Sequence, residues 1–119
     1  MLILIAGPVK SGTNGEQTLI TANLNRLRDV ALEVYYKGHT PVIGEWLAIP
    51  LAEAAGSQRI GDDISDAFLY PVARRLIHAC DAVVRIAGAS QGADNDVRLA
   101  RELGLPVFSH PDEIDSPRR

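Results

Sequence analysis

Cysteine, aromatic side chains, long apolar runs and excess positive charge are all scarce in this chain, and each scarcity removes a class of function. Cys80 is the one cysteine among 119 residues, so neither an intrachain disulfide nor a thiolate zinc site can form. Lys and Arg number 12 against 15 Asp and Glu, a formal net charge of −3, which leaves no basic footprint for a nucleic-acid partner. The first apolar run ends at Gly7, too short for a signal peptide and far short of the roughly 20 residues of a membrane helix. The expectation is a cytoplasmic protein with no membrane partner. His39, His78 and His110 show no metal-ligand spacing, so no metal is expected, and nothing calls for a cofactor. Any side chain that stacks on a ligand must come from Trp46, Phe68, Phe108 or the three tyrosines.

The chain does hold enough apolar sequence, 46%, for one compact domain with a single core, and it is too short for two. Residues 1–6 (MLILIA) suit a strand buried on both faces. The glycine-rich loop 7–15 (GPVKSGTNG) follows, with Thr13 or Asn14 as a candidate helix cap. From Glu16, apolar residues at three- and four-residue spacing predict a helix ending at Lys37-Gly38. Residues 40–43 read as a second strand, placed early or at an edge by Pro41. Residues 47–55 read as a short helix or turn containing Pro50, and 56–63 as a polar loop.

A helix over 63–79 is expected to be kinked or divided at Pro71. Strand 81–87, helix 95–103, a last strand near 105–108 and a polar tail over 109–119 complete the chain. Alternating strands and helices predict an α/β fold, a flavodoxin-like or Rossmann-like three-layer sandwich with four or five parallel strands. The first and third strands should be neighbours, so that loops 7–15 and 88–96 line one crevice where such sheets bind ligands.

Two stretches carry candidate chemistry. GPVKSGT has the glycine separation of a phosphate-binding G-x-x-x-x-G-K-[ST] loop at Gly7 and Gly12. However, Thr13 stands where the lysine belongs and Lys10 lies inside the loop, which argues against a nucleotide-hydrolysing P-loop. A loop whose amides face a polar ligand is retained. In AGASQGADNDVRLA (87–100), Ser90 and Gly92 make a turn and Asp96 falls in the first turn of the expected helix. The helix dipole there would favour the carboxylate form that a nucleophile needs. Asp94, Asn95 and Asp96 are equally good plain capping residues.

The strand ending in Ala6-Gly7-Pro8, the strand Asp81-Ala82-Val83-Val84, the S-x-G-A-x-x-D-x-x-x-A stretch and Gly104-Leu105-Pro106-Val107 together resemble the nucleoside 2-deoxyribosyltransferase superfamily. That resemblance covers most of the chain in order. It implies cleavage or transfer at the N-glycosidic bond of a nucleoside or nucleotide, with Asp96 matching the family's nucleophilic glutamate, Ser90 its aspartate and Gly92 its glycine. It also implies a homo-oligomer. Gly7, Pro8, Ser11, Ser90 and Gly92 become candidate binding positions.

The pattern departs from the family at three points: Asp96 is one methylene short, Ala73 stands near a family aspartate, and Ile3 stands where a tyrosine is frequent. These departures favour an alternative, a non-catalytic nucleotide-binding or sensing module of the same fold. Glu45 and Trp46 follow the second strand and can face the same crevice, an acid beside a flat apolar surface. The plainer reading packs Trp46 in the core and leaves Glu45 solvated. Arg59, Asp62 and Asp63 read as a solvated loop able to close over a ligand, and Arg74 and Arg75 as arginines that snorkel or pair with acids.

Overall fold

The computed structural model describes residues 1–117. Four parallel strands, β1 (Leu2–Ala6), β2 (Thr40–Val42), β3 (Ala82–Arg85) and β4 (Val107–Phe108), form one sheet in the order β2-β1-β3-β4. β1 pairs with β2 from Leu2 opposite Thr40 to Leu4 opposite Val42, and with β3 from Ile3 opposite Ala82 to Ala6 opposite Arg85. The helices are α1 (Gln17–Tyr36), α2 (Gly44–Ala54), α3 (Asp63–Ala79) and α4 (Gln91–Glu102).

The sheet is covered on both faces because side chains alternate along a strand. Ile3 and Ile5 of β1 and Ala82 and Val84 of β3 point to a core shared with Ile20, Leu27, Ala31 and Val34 of α1. Leu4, Ala6 and Val83 point the other way, to Ile77 of α3 and to Ala93 and Ala100 of α4. This is the expected α/β three-layer arrangement of flavodoxin-like type, with four strands. Pro41 sits in edge strand β2, where a missing N–H costs no ladder bond.

Several local expectations are corrected. α4 begins at Gln91, four residues before the expected start, because the Ser90 hydroxyl caps it by accepting the Ala93 amide at 3.1 Å. α2 already begins at Gly44, so Glu45 and Trp46 lie in its first turn and not in a preceding loop. α3 runs undivided through Pro71. Neither Thr13 nor Asn14 caps α1; the cap position is Glu16. The buried Thr13 hydroxyl bonds instead to the Lys10 carbonyl, and Asn14 adopts a left-handed φ of 50°.

The tail is better held than its polarity suggests. It forms a 3₁₀ turn, Pro111–Glu113, and buries Ile114 in the α1 core. Lys37 Nζ donates to the Ile114 carbonyl at 2.9 Å, and His39 Nε2 lies 2.6 Å from the Asp115 carbonyl. Residues 118–119 of the expected tail lie outside the described residues.

Candidate functional site

The strand order changes direction between β1 and β3, so the chain leaves these two strands toward opposite faces and opens a crevice at their C-terminal ends. A cavity of about 280 Å³ occupies it, at the small end of the roughly 300–1,000 Å³ typical of ligand sites. Its floor is the end of β1 with Gly7. One wall is the β1–α1 loop with Lys10 and Ser11, another is the start of α4 with Ser90, Gly92 and Asp96, and Gly44 and Glu45 of α2 close it. Asp66, Leu69, Tyr70 and Ala73 of α3 form the remaining side.

Glycine at two positions lets the walls approach. A Cβ on Gly7 would lie 2.8 Å from Leu27 Cδ2 and 3.1 Å from Ile86 Cβ. Gly88 has φ +122°, and its Cβ would meet Pro8 Cγ at 2.7 Å. Gly92 is different: a Cβ there would meet nothing within 4 Å. Its missing side chain opens the cavity and relieves no packing.

Arg85, with only 18% of its side chain exposed, fastens the loop after β3. Its guanidinium donates to the Ile86 carbonyl, to the Gly88 carbonyl at 2.9 Å, and to the Asp94 carboxylate at 2.9 Å. Across the crevice, Lys10 Nζ donates to both carboxylate oxygens of Asp66 at 2.7 and 2.8 Å. This ties the β1–α1 loop to α3. Both partners are about two-fifths exposed, so the pair adds little stability, roughly 0–1 kcal/mol.

The electrostatic centre is Glu45 with Asp96. Burial raises the Glu45 carboxyl above its ordinary 4.5, opposed by a hydrogen bond to its own backbone amide. Burial and, second to it, the Glu45 charge push the Asp96 carboxyl from 3.8 up to about 7, against the opposing pull of Arg85. Two acids lining one cavity cannot both ionise cheaply, so Asp96 keeps its proton up to about neutrality. The expected dipole stabilisation of an Asp96 carboxylate does not occur, because Asp96 lies in the second turn of α4, beyond the reach of the terminal amides. Glu45, in the first turn of α2, occupies the position that the dipole favours.

Of the sequence candidates, Gly7, Ser11, Glu45, Ser90, Gly92 and Asp96 all line the cavity. Pro8 does not. It is buried behind the wall against Gly88. Trp46 lines neither the cavity nor the core and is 45% exposed on α2, because position 45 of the helix turns inward and position 46 outward. Asp62 is spent on structure. It caps α3 through the Ser65 amide at 2.8 Å and also accepts from Ser57 and Gln58, contacts that hold its carboxyl well below the usual range. Ile3 is fully buried in the α1 core, while Ala73 lines the cavity.

Sequence reasoning missed Asp66, Leu69 and Tyr70. Their only signal is that positions 66, 69, 70 and 73 share one face of α3 at three- and four-residue spacing. Among the described residues, no group of three or more His, Cys, Asp or Glu is arranged to hold a metal ion, and no helix is long and apolar enough to cross a membrane. No family model, no curated protein and no solved structure matches the chain.

Proposed function

We propose that the protein binds a nucleoside or nucleotide in the β1–β3 crevice and cleaves or transfers at its N-glycosidic bond, using Glu45 and Asp96 as a carboxyl pair. The observation that carries this reading is the pair itself: two half-buried carboxyl groups lining one cavity, each held above its ordinary carboxylate range by desolvation. Departure of a base from C1′ passes through an oxocarbenium-like state, which needs an anion to face the sugar and an acid to protonate the base. A pair whose members differ in protonation supplies both.

The roles differ from those the resemblance implies. Asp96 holds its proton to about pH 7, so it serves as the acid that gives this proton to the departing base nitrogen. Glu45, which has the α2 dipole behind it, is the anion that forms a bond to C1′. Water or a second base then displaces Glu45 from C1′ and returns a proton to Asp96.

Incubation with a panel of nucleosides and their 5′-monophosphates, following free base, tests the reading. Release is expected, falling at least about 100-fold in both Asp96→Asn and Glu45→Gln. Activity should decline above about pH 7 as Asp96 loses its proton. Absence of release from every compound, or release indifferent to both substitutions, removes the enzyme reading. Ligand-induced stabilisation without turnover would favour a binding or sensing module. Homo-oligomerisation is part of the proposal, supported by the outward face of α2, where Trp46, Leu47, Pro50 and Leu51 are exposed without a charge among them.

A further inference from the structure

A second groove, of about 250 Å³, runs between α3 and α4 and shares two wall residues, Tyr70 and Asp96, with the crevice. Asp96 is therefore a partition with a different environment on each side. On the crevice side the charged lining residues are Glu45, Asp66 and Lys10, and Lys10 is bound to Asp66. On the groove side stand Arg74, Arg98, Asn95 and Glu102. Among the described residues neither Arg74 nor Arg98 is in an ion pair, whereas Lys10, Arg28 and Arg85 all are. The Arg74 guanidinium lies 5.9 Å from the centroid of the Tyr70 ring, which steadies it at the junction.

We propose that this groove is an anion subsite continuous with the crevice, where Arg74 and Arg98 hold a phosphate group of the ligand whose uncharged part lies against Glu45 and Asp96. The inference rests on the glycoside reading for the identity of that uncharged part, but not for the anion. A phosphate is repelled from the crevice proper, where the carboxyl groups outnumber the one lining cation. In the groove the lining arginines Arg74 and Arg98 stand against the carboxyl groups of Glu102 and the half-buried Asp96, a balance that no longer disfavours an anion. Two planar forks can together present several N–H donors to phosphate oxygens, and the Asn95 amide adds another. Arg74 from α3 and Arg98 from α4 thus border one concavity from two helices.

Binding of each nucleoside and its 5′-monophosphate, measured at low and moderate salt, gives the affinity ratio that the subsite creates. The monophosphate should bind at least about tenfold more tightly, with the ratio shrinking as salt rises. In Arg74→Gln and Arg98→Gln the ratio should fall toward one. Arg101→Gln, which removes the same charge from outside the groove, should leave it unchanged. A ratio near one in the unaltered protein, or one indifferent to Arg74 and Arg98, overturns the subsite. If no nucleoside or nucleotide binds, the glycoside reading fails alone, and pyrophosphate then decides the anion site. Thermal stabilisation by pyrophosphate that is lost in the Arg74→Gln/Arg98→Gln double variant sustains it, and no stabilisation of the unaltered protein overturns it.

Discussion

Replacing Asp96 by Asn should make the protein more stable, and only above mild acidity. Below about pH 4 the carboxyl is protonated in both the folded and the unfolded chain, so nothing distinguishes the two states. Between about pH 4 and 7 the unfolded chain gives up this proton while the folded protein keeps it, because the folded group titrates at about 7 and not 3.8. The folded state then binds more protons, so stability falls as pH rises and the whole penalty is present above pH 7. Each tenfold change in ionisation is worth about 1.4 kcal/mol, which sets a ceiling of about 4 kcal/mol on the cost. Residual contact of Asp96 with water discounts this to roughly 2–3 kcal/mol, still a large share of the about 5–15 kcal/mol that a domain commands. Urea unfolding at pH 4, 5, 6, 7 and 8 reads it directly. Asp96→Asn should match the unaltered protein within about 0.5 kcal/mol at pH 4 and exceed it by roughly 2–3 kcal/mol at pH 8. A stability profile that is flat or rises from pH 4 to 7, or an Asn variant with no advantage at pH 8, would refute the reasoning.

Two glycines separate packing from ligand access. Gly88→Ala forces a Cβ to 2.7 Å from the Pro8 ring at φ +122° and should cost about 1–3 kcal/mol. Gly92→Ala meets open space in the first turn of α4, so it should leave stability unchanged or raise it by up to about 1 kcal/mol while weakening nucleoside or nucleotide binding. Denaturant midpoints and ligand titrations of both variants check this, and a Gly92→Ala protein as unstable as Gly88→Ala would count against the open cavity. Trp46→Glu places a charge in the centre of the exposed α2 face. Sedimentation should show an oligomer for the unaltered chain and a monomer for the variant, whereas an unaltered chain that sediments as a monomer removes the homo-oligomer.

The strands were legible because their residues leave little choice: MLILIA has no polar position on which a one-sided strand could rest, and β1 is indeed buried on both faces. Pro41 and Gly38 marked the edge strand and the end of α1 for reasons of backbone chemistry that need no tertiary context. Helix starts were less legible. Gln91-Gly92 reads locally as a turn, and only the Ser90 cap, with α4 packed on β3, makes it helical. That shift of four residues carried Asp96 from the first turn into the second, and burial beside Glu45 raises its carboxyl where the first-turn reading expected it lowered. The crevice was placed correctly by topology, but its α3 side was hidden, since Asp66 and Tyr70 lie about 20 residues or more from the loops and helix starts they face. Nothing near Arg85 in the sequence foretells its grip on four separate backbone and side-chain acceptors.

The half-buried carboxyl pair is best understood by asking what else it does for the molecule. A carboxylate that serves the fold acquires partners that lower its pKa, as Asp62 does with the amides of Gln58 and Ser65. Glu45 and Asp96 show the opposite sign. The cation that eases Asp96, Arg85, spends its donors on loop carbonyls and on Asp94. A leucine or methionine at either position would fill the cavity and avoid the cost of burying an acid. The fold thus bears a penalty at these two positions that its own packing does not require, in the one cavity that topology opens between β1 and β3. Such a penalty is intelligible where a proton must be held near neutral pH and released on demand, and it is this requirement, more than the spacing of any motif, that argues for glycosidic chemistry at the crevice.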